Sequence, residues 1–184
     1  MSEDLLIDQC SPTMAGIKTG SLFSCYADDK KTLNADIRRF NARLVPKGLR
    51  LVPMKFENNR ALVYMYRPSK LAKDLNDPTA HSILSGLDYP SSGADSKVAI
   101  LRKKINTSES FPHEIGLFLG YPPTDVDGFI KKGPHKAKLT GVWKVYADED
   151  SAKKKFALYK KCAGVYRTAY EKHRSFDRLI VRER

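Results

Sequence analysis

Cysteine is scarce in this chain of 184 residues: Cys10, Cys25 and Cys162 are the only three, widely separated and odd in number. That pattern excludes a disulfide framework and fits a compartment in which thiols stay reduced. No CxxC or HxxxH pair occurs, so spacing defines no closed zinc site and no metal ligands are assigned. No apolar run approaches the roughly 18–20 residues needed to cross a bilayer, so no membrane partner is expected. The opening Met1-Ser2-Glu3-Asp4-Leu5-Leu6-Ile7-Asp8 is acidic, where a secretory leader would be basic and then apolar. The expected location is the cytoplasm. Gly-rich phosphate loops, internal repeats, low-complexity tracts and linkers are missing too, which leaves one domain over residues 1–184.

What is present is ordinary for a globular protein: 41% hydrophobic and 29% charged residues, on a chain long enough to bury a core. The net charge of +12 is unevenly spread. Residues 131–184 hold 16 Lys and Arg against 6 Asp and Glu, while residues 1–130 hold 17 against 15. The basic character therefore belongs to the last third, where it can attract phosphate, nucleic acid or an acidic protein, or form a solvated helix face.

Leu33, Ile37, Phe40 and Leu44 recur at helical steps and predict a helix over 30–47, closed by Gly48. Two β-prone runs, 49–56 and 61–66, flank Glu57-Asn58-Asn59-Arg60 and predict an antiparallel hairpin. Pro53 places the first run at an edge or an irregularity, and the second, apolar on both faces, belongs inside the sheet. Helical segments follow, opened by Pro68-Ser69, Asp77-Pro78, Ser96, the Ser110–Glu114 stretch and Thr124. Val142 to Tyr146 alternates as a strand, with Trp143 and Lys144 facing opposite ways. Asp148 then caps the longest helix, whose stripe runs Ala152, Phe156, Tyr159, Ala163, Tyr166, Tyr170. Gly164 interrupts this stripe and reads as a point of close packing. The expected fold is α+β, a small and mainly antiparallel sheet of three to four strands (Leu22 to Tyr26, the hairpin, Val142 to Tyr146) covered by six to seven helices.

Four strings carry a family likeness. They are Cys10-Ser11-Pro12-Thr13-Met14-Ala15-Gly16-Ile17-Lys18 with Leu22-Phe23; Phe111-Pro112-His113-Glu114-Ile115-Gly116-Leu117-Phe118-Leu119-Gly120-Tyr121-Pro122; Asp125-Val126 with Gly128-Phe129-Ile130; and Gly141 with Trp143-Lys144-Val145-Tyr146. Together they resemble domain-of-unknown-function family 3793, from about residue 10 to residue 180. The resemblance implies a bacterial cytoplasmic protein and brings no reaction with it. Ser11 departs from the small apolar residue expected at its position.

Two constellations can carry chemistry. If Pro12 starts a helix, Cys10 lies at its N-terminal end, where the dipole lowers a thiol pKa. Thr13 and Lys18 then stand near it as contacts for an anion. His113 and Glu114 form the second, near another helix start; adjacent helical residues point about 100° apart, so they do not share one metal. A Cys10–His113 pair, oriented by Asp125 or Asp127, would make a nucleophilic dyad or triad. In the structural alternative these residues only cap and pack.

Two functional readings result. The first is a small-ligand or catalytic pocket, with Cys10, His113 and Glu114 catalytic and Thr13, Lys18 and Lys144 holding a small anionic ligand. The second is a binding protein whose basic C-terminal helix, through Lys153, Lys154, Lys155, Lys160, Lys161 and Arg167, contacts nucleic acid or an acidic protein. Neither reading names a cofactor, and whether the protein is an enzyme stays open.

Overall fold

Ser2 precedes two acidic residues, and its hydroxyl accepts the amide of Leu5 at 3.2 Å, capping a first helix, α1 (Glu3–Met14). Glu3 and Asp4 suit the positive end of its dipole, while Leu6, Ile7, Cys10 and Met14 form the buried stripe. The computed structural model describes residues 1–183. The expected helix start at Pro12 is corrected: Pro12 lies inside α1, two residues from its end. Proline favours a first turn, but the Ser2 cap and its acidic neighbours begin the helix nine residues earlier. Near the C-terminal end, the missing proline donor disturbs little of the ladder that follows.

The chain divides into two compact units, residues 1–69 with the stretch from Lys161 onward, and Lys70–Lys160. In the first, β1 (Gly20–Tyr26) and β2 (Arg50–Glu57) flank β3 (Arg60–Tyr66) in an antiparallel sheet of order β1-β3-β2. Asn58 and Asn59 both adopt positive φ, 49° and 59°, the geometry of a two-residue hairpin turn with matching twist. The register shifts between Pro53 and Lys55, and β2 is an edge strand, as proline requires. Helix α2 (Lys30–Leu44) buries Leu33, Ile37, Phe40 and Leu44, and the rest of the expected 30–47 span tightens into a 3-10 turn, Val45–Lys47. The Asn41 amide bonds both backbone groups of Leu51, at 2.8 and 2.9 Å, tying α2 to the sheet edge. One core joins Leu6, Ile7, Phe23, Phe40, Val63, Met65 and Phe176.

Arg67 follows β3 and is buried. Its Nε donates to Thr13 O at 2.8 Å, and its Nη2 donates to Met14 O and Val181 O, each at 2.7 Å.

The second unit is mostly helical. After α3 (Pro68–Leu75), Asp77 caps α4 (Pro78–Ser85) by accepting the amides of Thr79 and Ala80. Then come α5 (Ala94–Thr107), the short α6 (Ile115–Phe118) and α7 (Pro123–Lys132). Strands β4 (Leu139–Thr140) and β5 (Lys144–Val145) pair only with each other. The expected fourth strand of the main sheet is therefore corrected to half of a separate ribbon, because Asp125 takes the amides of Tyr146 and Ala147 that would extend it. Asp148 accepts from Ser151 N at 3.0 Å and opens α8 (Glu149–His173). Gly164 does not mark close packing: a Cβ there would meet nothing within 4 Å. The class is α+β, with eight α-helices among the described residues against the six to seven expected.

Candidate functional site

A cleft of about 230 Å³ opens in the second unit, built from three stretches of chain: the approach to α6, the entry and face of α7, and the start of β5. Its lining is strongly aromatic, with Phe111, His113, Tyr121, Phe129 and Trp143. Trp143 is only 6% exposed and forms part of the wall. Tyr121 stacks on it at 5.0 Å and 27°, and Phe156 meets it edge-on at 4.5 Å and 77°. The indole Nε1 donates to Asp125 Oδ2 at 2.8 Å, and Asp125 Oδ1 accepts the amides of Tyr146 (2.8 Å) and Ala147 (2.9 Å). Asp125 sits in the first turn of α7, where the helix dipole favours its charge. One buried carboxylate thus orients the indole and the chain that carries it.

Glycine permits the close approach of these elements. A Cβ on Gly116 would lie 2.8 Å from Val126 Cγ2 and 3.2 Å from Tyr121 Cδ2, and one on Gly128 would lie 2.6 Å from Tyr146 Cγ. Tyr121 donates its hydroxyl to Val142 O at 3.3 Å, and burial pushes its phenol up to about 12. At neutral pH it is a protonated donor.

Two sequence-predicted residues meet here. His113 is exposed and packs edge-on against Phe129 at 4.9 Å and 70°. Lys144 is half-buried; its Nζ lies 3.4 Å from Thr140 Oγ1, and it forms no ion pair among the described residues. Trp143 and Lys144, expected on opposite faces, both line the cleft, because β5 begins only at Lys144 and strand alternation does not reach Trp143.

Glu114 turns inward instead. It accepts from Tyr89 OH at 2.9 Å and lies 3.8 Å from Lys104 Nζ, while giving no side-chain cap to α6. Burial, reinforced by the Glu114 charge, drives the Tyr89 phenol well above its ordinary range. Lys104 also donates to Leu87 O at 2.9 Å. This group ties α5 to the loop before α6.

Cys10, Thr13 and Lys18 lie in the first unit, in a different compact unit from His113. They are grouped around Ser21: Thr13 Oγ1 and Ser21 Oγ are 2.9 Å apart, and Cys10 bonds the Ser21 side chain beside the Lys18 charge. Cys10 is fully buried in the second half of α1, so the expected depression by a helix N-terminus is overturned. Burial pushes its thiol far up, more than Lys18 and Ser21 pull it down. Burial likewise lowers the Lys18 ammonium to about 8.

The sequence reading picks out His113 and Lys144 but passes over Phe111, Tyr121 and Phe129, although all three stand in the quoted strings. Asp125 is an orienting group, as that reading allowed, but it orients Trp143. Among the described residues no cluster of three or more His, Cys, Asp or Glu could hold a metal ion, and no helix is long and apolar enough to cross a membrane.

These features define an α+β protein with an aromatic, lysine-edged cleft framed by Asp125. The chain belongs to the family described as protein of unknown function (DUF3793), whose model matches residues 6–180. No curated protein and no solved structure matches it.

Proposed function

We propose that the protein binds a small planar ligand with an anionic or acceptor-rich edge in the aromatic cleft, with His113 and Lys144 supplying the polar contacts. The observation that carries this reading is the convergence of Phe111, His113, Tyr121, Phe129, Trp143 and Lys144, from three stretches of chain, on one concavity. Ligand sites are mostly apolar with a few placed polar groups, and a volume below the roughly 300–1,000 Å³ of drug-sized sites suits one or two fused rings. Aromatic walls favour a flat partner, each ring pair contributing about 0.5–1.5 kcal/mol beyond burial. Asp125 does not repel an anion strongly from inside, since both its oxygens are turned to donors of the protein. Cys10 takes no part, because a nucleophile must be a thiolate and burial keeps this thiol protonated.

Trp143 is the only tryptophan of the chain, so its emission reports on this cleft alone. Titration with aromatic carboxylates and nucleoside monophosphates is expected to change that emission saturably and raise the Tm, with Phe129→Ala weakening both. Flat responses to every planar anion in both measurements overturn the reading.

A second reading rests on α8. Lys154, Lys155 and Lys160 are exposed, and none pairs with a carboxylate among the described residues, whereas Lys153 pairs with Glu149 at 3.4 Å. Free cations along a helix suit a polyanion such as nucleic acid or an acidic protein. Binding to generic single-stranded RNA that falls steeply with salt supports this reading; salt-independent or absent binding removes it.

A further inference from the structure

Tyr121 lines a second concavity. A more polar cleft of about 440 Å³ in the same unit is bounded by Lys73, Asp74, Asp77 and Lys155, with Gly120 and Pro122 on either side of Tyr121. A single residue is therefore common to the aromatic cleft and the polar one. The charges of the polar cleft are unequally committed. Asp77 is engaged by the amides of Thr79 and Ala80, and Asp74 also has a partner within the protein. The side chains of Lys73 and Lys155 have neither a hydrogen bond nor an ion pair among the described residues. An ammonium group is a point-charge binder of phosphate, and two unpartnered ones beside an aromatic slot meet the two halves of one kind of molecule.

We infer that the two clefts are parts of one nucleotide site, in which a nucleobase enters the aromatic cleft beside Tyr121 and its phosphate lies on Lys73 and Lys155. This rests on the planar-ligand reading and adds the chemistry of the tail. The base stacks among Phe111, Phe129 and Tyr121, with Lys144 and His113 at its acceptor edge. The sugar passes Tyr121, and the phosphate displaces only water from the two lysines. With so few polar groups in the aromatic cleft, stacking supplies most of the base affinity, and discrimination between bases is weak.

The test uses the full chain and the four ribonucleoside monophosphates, each beside its nucleoside, followed by Trp143 emission and calorimetry. Each monophosphate is expected to bind about tenfold or more tightly than its nucleoside, one charge-assisted contact being enough for that ratio. The double variant Lys73→Ala/Lys155→Ala should erase this advantage while leaving nucleoside affinity unchanged. Equal affinities for nucleotide and nucleoside overturn the inference, as does an advantage that survives the double variant and disappears in Lys144→Met. Either result leaves the planar-ligand reading standing, because nucleosides still bind; silence from every nucleoside, nucleotide and aromatic carboxylate removes both. A single-stranded decanucleotide separates the two sources of this chemistry. Affinity near that of the monophosphate assigns the free nucleotide, and a gain of about tenfold or more assigns a strand.

Discussion

In the first unit Arg67 gives its guanidinium to the carbonyls of Thr13, Met14 and Val181, whereas in the second Lys73, Lys144 and Lys155 stand without ion pairs among the described residues. The same contrast holds for the other polar groups. Thr13, Ser21, Cys10 and Lys18 are turned toward one another, while Asp125 spends its carboxylate on framing an open cleft. Buried polar groups satisfied within the protein specify a fold; polar groups left at the edge of an apolar concavity are available to something else. Under the proposed function, the first unit is framework and the second holds the ligand.

The sharpest way to break that contrast is to remove Arg67. Arg67→Met strips one donor each from the carbonyls of Thr13, Met14 and Val181, of which Thr13 keeps the amide of Gly16 and Met14 that of Val181. A loss of about 3–5 kcal/mol in denaturant unfolding is expected, since three charge-assisted hydrogen bonds contribute about 1.5–3 kcal/mol each and relief of burying the charge offsets part of that. Arg67→Lys keeps the charge without the fork and should recover only part of it. A change below about 1 kcal/mol in Arg67→Met would show that the first unit is not held in this way.

Asp125 tests the other side. Asp125→Ala removes the acceptor for one indole N–H and two backbone amides, with an expected loss of about 2–4 kcal/mol. Its specific signature is a red-shifted, less structured Trp143 signal in emission and near-UV circular dichroism. Asp125→Asn retains one acceptor oxygen and should lie between. A destabilised Asp125→Ala variant with unaltered Trp143 spectra would mean that the carboxylate holds the loop but not the ring. Gly128→Ala presses a methyl group onto Tyr146 and should cost about 1–3 kcal/mol, a typical penalty for overpacking.

Much of the framework was legible in the sequence. Asn58-Asn59 named the turn, Pro53 the irregular edge, and Leu33, Ile37, Phe40 and Leu44 the buried face of α2, because each is a local rule acting over a few residues. α1 was misread because proline carries a strong local preference for a first turn, which the capped start at Ser2 overrode. The fourth strand failed for a non-local reason: Asp125, 21 residues before Tyr146, takes the amide that strand pairing would need. The cleft was legible in pieces. His113 and Lys144 could be named by residue type, but the convergence of Phe111, Tyr121, Phe129 and Trp143 is tertiary and follows no spacing rule.

Cys10 and the half-buried Lys18 of the first unit carry their own pH signature. Burial holds the Lys18 ammonium at about 8, against 10.5 when exposed, so between these values the unfolded chain binds more protons and stability rises with pH. The rise is about 1 kcal/mol between pH 7 and 9. Cys10 acts in the opposite sense, since its raised pKa keeps the folded thiol protonated while the unfolded thiol ionises above about 9. Stability attributable to this pair should therefore climb from pH 7 to 9 and flatten or fall above. Lys18→Met should be the more stable protein at pH 7 and should lack the climb; a parallel pH profile for variant and parent shows that Lys18 is solvated after all.

The smallest effect concerns glycine, and it separates the two regions once more. Gly116 and Gly128 in the second unit sit where a Cβ would collide, whereas Gly164, in the part of α8 assigned to the first unit, faces open space. Its helical position asks for no unusual backbone conformation, so its lack of a side chain serves no packing need. Gly164→Ala should then stabilise the protein by about 0.5–1 kcal/mol, because alanine loses less backbone freedom on entering a helix. If the substitution destabilises instead, something covers that face of α8 in solution, and Val165, 57% exposed next to it, becomes the residue to probe.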